Sequence, residues 1–271
     1  METKEEKAIE PKQEEAAITK VTKYLDSEIV KARFADVLGD RNVGSYIASV
    51  MITVKDSEAL LKCSPASIYT SALRAASLRL SVDPATGQAY LVPFGGHATL
   101  VVGYKGLYDM AVRTGKYRYI NVGPIYEGMV VEENPITGFH TITGARNGDK
   151  IIGWIGAFEM NPARGQTTGF GKTLYMTVEE IHAHAKEYSK GYDNPKGTWK
   201  KETKKMERKT VLRLLIRKWG YLDPADAEVL NEAEEESVIE ASADIYDIPE
   251  YNEEEEKPRK SEQEIMKELG Y

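Results

Sequence analysis

From Asp223 to Tyr271 the chain carries 18 Asp or Glu and four Lys or Arg, a net of 4 − 18 = −14, against −7 for the whole chain. Residues 1–222 are therefore −7 + 14 = +7. The run "DIYDIPEYNEEEEKPRK" has the composition of a disordered acidic linker and too few apolar residues to build a core. The fold must be completed upstream, in a basic body. Such a body favours a polyanionic partner, because long-range attraction raises the encounter rate.

Of the 271 residues, 41% are hydrophobic and 29% charged, which fits one large domain with some unpacked chain. The one cysteine, Cys63, allows no internal disulfide and points to a reducing compartment. The opening "METKEEKAIEPKQEEAA" lacks the apolar segment of a signal peptide. No stretch approaches the roughly 18 uninterrupted apolar residues of a membrane span. A cytoplasmic protein is expected, without membrane contact.

The expected organisation is a flexible leader over 1–26, a core over 27–222, and an acidic, largely disordered tail over 223–271, whose first stretch, "PADAEVLNEAEEE", can extend as a helix. Ser27 can cap a helix in "EIVKARFADVLG", and "SYIASVMITVKDSEALLKC" reads as a second one. Ser64-Pro65 pairs a capping residue with proline at the first helical position. The helix after it should bury Ile68, Ala72, Ala75 and Leu78. "QAYLVPFGGHATLVVGYKG" reads as a β-hairpin turning at Gly95-Gly96. A short helix before Gly115 and several strands follow, then the helix "VEEIHAHAKEYS". Helix, hairpin, helix, strands, helix is the order of an α+β fold with a mainly antiparallel sheet. The last residues hold a capping box, Ser261 and Glu264, and an apolar edge of Ile265, Met266 and Leu269. They read either as a short amphipathic docking helix or as a frayed end.

From Lys196 to Lys218 there are ten Lys or Arg and two acids, Glu202 and Glu207. A helix over Trp199–Trp219 would bury Met206, Thr210, Leu214 and Trp219, with Val211 and Leu215 beside them. Lys201, Lys205, Lys209, Arg213 and Arg217 then form one ridge, and Lys200, Lys204 and Arg208 a second. Like charges at this spacing repel by about a few tenths of a kcal/mol per pair, which a row of phosphates would relieve. A plain solvated face is the alternative, although such faces normally mix Glu with Lys.

Other motifs fall short of chemistry. "GQTTGFGKT" has five residues between Gly165 and Gly171, where a phosphate loop needs four, and a strand follows instead of a helix. His182 and His184, two apart on a helix, point in nearly opposite directions, so a surface role outranks metal binding. Asp193, Glu202 and Lys204 faintly echo a nuclease site but straddle a loop and a helix rather than a rigid sheet edge. No catalytic centre and no cofactor are expected.

"SALRAASLRLSVDPATGQAYLVPFGG" and "LVVGYKGLYDMAVRTGKYRYINV" resemble the RecT family of phage single-strand annealing proteins. So do Trp199, Met206, the Lys209–Arg213 string "KTVLR" and the Lys218–Gly220 string "KWG". The likeness runs from about Ser45 to Tyr221. It implies a compact α+β core with a bent sheet, rings or helical filaments of identical subunits, and ATP-independent annealing in a bacterial host. It also implies partnership with a phage 5′→3′ exonuclease; the host single-strand-binding protein is a further expected partner, through the tail. Annealing requires phosphates to be neutralised while base edges stay free, which suits cations interleaved with aromatics. Arg74, Tyr104, Lys105, Arg113, Lys116, Tyr117 and Arg118, together with Trp199 and the two basic ridges, are the candidate contacts to single-stranded DNA and the annealed duplex. Trp199 could equally be an anchor for its helix. A passive single-strand coat protein would present the same surface, and a metal-dependent nuclease is the remaining alternative.

Overall fold

The computed structural model describes residues 11–189, 192–195 and 197–241. The chain opens with helices α1 (Pro11–Leu25), α2 (Glu28–Leu38) and α3 (Asp40–Lys55), the single turn α4 (Glu58–Leu61), and α5 (Pro65–Ser77). The hairpin β1 (Ala89–Phe94) and β2 (His97–Val102) leads into α6 (Tyr104–Arg113). Strands β3 (Tyr117–Tyr126), β4 (Met129–Glu133), β5 (His140–Gly144), β6 (Ile151–Met160) and β7 (Gly171–Thr177) follow. Helices α7 (Val178–Tyr188), α8 (Thr198–Lys201), α9 (Thr203–Trp219) and α10 (Pro224–Ala241) complete the order. The fold is α+β. All strand pairs are antiparallel, and they divide into the hairpins β1-β2 and β4-β5 and the sheet β3-β6-β7.

The α5 start follows its local chemistry. Ser64 Oγ accepts from the Ser67 N–H at 3.2 Å, and Pro65 occupies the first turn. Ile68, Ala72, Ala75 and Leu78 are all fully buried. The small residues let the helix approach β2 closely: Ser71 Oγ donates to the Ala98 carbonyl at 2.7 Å, and Ser67 Oγ accepts from the Ala98 N–H at 3.0 Å. At the hairpin turn Gly95 and Gly96 have φ of 51° and 86°, the positive pair that matches strand twist. Glycine is also required where α6 begins. A Cβ at Gly106 would lie 2.2 Å from the Gln88 carbonyl oxygen, closer than any side chain allows.

Helix α9 lies across β3-β6-β7. It buries Val211, Leu215 and Ile216, and the last two join the main core with Phe158 and Ile120. Helix α7 is held by a capping box between Thr177 and Glu180 and buries Ile181 and Ala185.

Three differences from the sequence reading stand out. Residues 11–25, expected within a flexible leader, form a helix that buries Val21 and Leu25 at one end of the core. The expected 199–219 helix breaks at Glu202, whose φ/ψ of −128°/39° separates α8 from α9. Helix α10 begins inside the segment assigned to the tail, with Leu230 and Ala233 fully buried. Apolar burial on one face accounts for both flanking helices. The 1–10 part of the leader and the expected C-terminal amphipathic helix lie outside the described residues.

Candidate nucleic-acid interface

The basic run splits into two environments. At its start, Lys200, Lys201, Lys204, Lys205 and Arg208 are exposed on α8 and the first half of α9. Lys205 pairs with the half-buried Glu202 at 2.9 Å. Lys200 lies 5.2 Å from the Tyr192 ring centre. Lys209 is half-buried, with its ammonium 5.1 Å from the Tyr104 ring centre. The structure thus joins the end of this ridge to α6, where the Lys105 stem lies over Gly87.

Further along α9 the cations turn inward. Arg213 donates to the Val102 carbonyl at 2.8 Å and to Glu234 on α10 at 2.6 Å. Arg217 donates to Asn231 at 2.9 Å and to Glu234 at 2.7 Å. Burial lowers the Arg213 pKa, the Glu234 carboxylate opposes that shift, and Arg217 adds to it. Arg113 repeats the pattern from α6, donating to the Leu78 carbonyl at 2.8 Å and pairing with Asp226 at 3.1 Å. Three candidate arginines therefore clasp α10 to the body. Arg74 is half-buried on α5.

What fixes the exposed half of α9 is a polar cluster beneath it. Glu207 is only 4% exposed and accepts from Trp154 Nε1 at 2.8 Å. Its other oxygen lies 3.0 Å from His182 Nε2, and His182 Nδ1 lies 2.8 Å from the Tyr192 hydroxyl. Trp199, 5% exposed, packs against both rings, with centroids 5.7 Å from His182 and 5.5 Å from Tyr192. Of its two possible roles, anchor or stacking platform, Trp199 takes the first. His182 likewise belongs to an internal cluster. The one hint of it in the sequence was an acid, Glu207, within a run of ten cations.

A third group sits at the far end of α9. Tyr117 is half-buried; its hydroxyl donates to the Tyr221 carbonyl at 2.9 Å, and its ring packs edge-on to Phe158. Burial raises its pKa, partly offset by that backbone contact. Lys116 lies 3.5 Å over the Tyr221 ring. Arg118 is exposed and pairs with Glu159 at 3.1 Å. Among the described residues no group of three or more His, Cys, Asp or Glu side chains could hold a metal ion, and no helix is long and apolar enough to cross a membrane.

Comparison with known proteins agrees with the resemblance. Residues 44–249 match the model of the RecT family. The uncharacterized protein YqaK of Bacillus subtilis (strain 168) is 38% identical over 199 residues, covering 73% of this chain and 66% of YqaK. Protein RecT of Escherichia coli (strain K12) is 25% identical over 117 residues, covering 40% of this chain and 44% of that protein. The chain thus spans less than two thirds of either relative. With the family match extending from α3 past the end of α10, this chain belongs to the RecT family.

Proposed function

We propose that the protein binds single-stranded DNA and anneals complementary strands without ATP, in phage recombination within the cytoplasm of a bacterial host. The observation that carries this reading is the exposed cationic face of Lys200, Lys201, Lys204 and Arg208, held rigid by the buried Glu207–His182–Trp199 cluster below it. Family membership supports this class of activity. Phosphates neutralised on that face leave base edges free, so pairing between strands, and not readout by the protein, selects the partner. Lys205, Lys209, Tyr104 and Lys105 extend the contact toward α6, and Lys116, Tyr117 and Arg118 toward β3. Arg113, Arg213 and Arg217 are engaged within the chain and stand outside the proposed contact set.

Non-specific phosphate contacts are individually weak at physiological salt, so subunits lined along a strand gain from effectively intramolecular binding. Homo-oligomers, in rings or helical filaments, are part of the proposal. A phage 5′→3′ exonuclease and the host single-strand-binding protein are the proposed protein partners.

A fluorescence assay with complementary oligonucleotides, run with and without ATP and Mg²⁺, tests the reading. Pairing should be faster than without protein and indifferent to ATP. Slower pairing with melting of preformed duplex would identify a passive coat protein, and Mg²⁺-dependent strand cleavage a nuclease.

A further inference from the structure

We propose that the C-terminal end of α9 and the adjoining sheet edge form a second contact site for single-stranded DNA, where Trp219 and Phe170 stack on bases between Lys116, Lys172 and Lys218. The proposal rests on the reading that this chain binds single strands, and it assigns the stacking surface which that reading lacks.

Of the three tryptophans, Trp154 and Trp199 are 6% and 5% exposed and cannot reach a base. Trp219 is half-buried, so part of its ring meets solvent. Two ammonium groups flank it, Lys218 at 4.6 Å and Lys172 at 5.3 Å from the ring centre. Phe170 is 60% exposed on the loop that leads into β7. Its ring stands 6.0 Å from Phe158, which meets Tyr117 at 5.5 Å. Tyr117 in turn holds the Tyr221 backbone, and Lys116 covers the Tyr221 ring. Phe170 and Tyr117 thus meet through the buried Phe158 in one aromatic cluster, and the Lys172 ammonium reaches from the same sheet to Trp219.

Its charge fits a polyanion. Lys116, Lys172 and Lys218 make no salt bridge to a carboxylate among the described residues, and Lys172 also donates to the Thr137 carbonyl at 3.3 Å. On the neighbouring strands Glu159 is engaged by Arg118, and Glu133, which with Lys172 borders Gly138, forms no salt bridge to that lysine. Cations resting on ring faces beside an exposed aromatic edge suit a ligand that offers phosphates and flat bases alternately. A second protein would need carboxylates at the same spacing, and a lipid surface would need a broader apolar face. From Lys204 to Trp219 the helix rises about 22 Å, so this surface and the exposed row stand at opposite ends of one rigid element.

The full chain is titrated with oligo(dT) while tryptophan emission is followed. Emission should change on binding in the wild type and stay flat in Trp219→Phe, because the two remaining tryptophans are buried. Phe170→Ala, at an exposed position, should keep the wild-type melting temperature, lose about tenfold in affinity, and leave the salt slope unaltered. Lys172→Ala should lower the slope by about 0.7. Binding by the wild type with flat emission, together with wild-type affinity in Phe170→Ala, would overturn this site and leave the functional reading standing. No binding by the wild type would overturn the functional reading, and this site with it.

Discussion

At the residue scale, position on α9 decides what a positive charge does. Lys204 and Arg208 point to solvent, whereas Arg213, nine residues after Lys204 on the same helix, satisfies a strand carbonyl and a carboxylate on α10. Arg213→Ala should therefore act on stability. It removes the donor to the Val102 carbonyl and leaves Glu234 to Arg217, at a cost of about 1–3 kcal/mol, and thermal unfolding of the variant measures it. Wild-type stability with a reduced salt slope of DNA binding would instead place Arg213 in the interface. The same logic applies to Glu207. Glu207→Ala strands the Trp154 indole N–H and His182, so it should cost about 1–3 kcal/mol, while Glu207→Gln, which keeps an acceptor, should cost less. Equal melting temperatures for both variants would remove this cluster as the support of α9.

At the element scale, α10 is the correction with the largest consequence. Leu230 and Ala233 are buried, and α10 packs beside β2 and α5. Leu230→Ala should destabilise by about 2–5 kcal/mol, the range for truncating a core leucine. Ending the chain after Leu222 should lower the melting temperature sharply, whereas ending it before Asp244 should not. Equal loss in the two truncations would mean that residues after 243 carry the stability. Much of this layout was legible in the sequence: the Ser64-Pro65 start, the four buried positions along α5 and its C-cap, and the Gly95-Gly96 turn each follow from local chemistry. The phase of α9 did not. Reading Met206, Thr210 and Leu214 as the buried line assumed that Glu207 faces water, yet His182 and Trp154 hold it inside. A partner 25 residues away leaves no local trace. Helix α10 was legible as a helix in "PADAEVLNEAEEE", but its docking was not, since its acids mask a narrow apolar line whose value depends on Arg113, Arg213 and Arg217 on the body. At the candidate site, residue type was legible, but which cations stay exposed was a tertiary fact.

At the scale of the whole molecule, the charge asymmetry has two parts. The first acids of the acidic segment are structural, with Asp226 and Glu234 tied to arginines of the body. The run from Asp244 onward carries ten of the 18 acids and all four bases, a net of 4 − 10 = −6. We propose that this run serves partner docking and competes weakly with DNA. With a Debye length of about 8 Å at physiological salt, only acids that reach the exposed row would compete. Deleting it should preserve or tighten oligonucleotide binding at low salt, with the difference shrinking as salt rises, and should abolish capture of the proposed protein partners. Lost DNA affinity with those partners retained would place the tail in the binding machinery. The central claim, however, is that the exposed row on α9 gathers strands and thereby accelerates pairing. Its most direct measurement is the ATP-free annealing rate of the wild type and of Lys204→Ala/Arg208→Ala across a salt series. The account predicts a slower rate for the double variant at unchanged melting temperature, with the log–log salt slope of single-strand binding lower by about 1.4, or about 0.7 per lost contact. A double variant that anneals at the wild-type rate with the wild-type salt slope would contradict it.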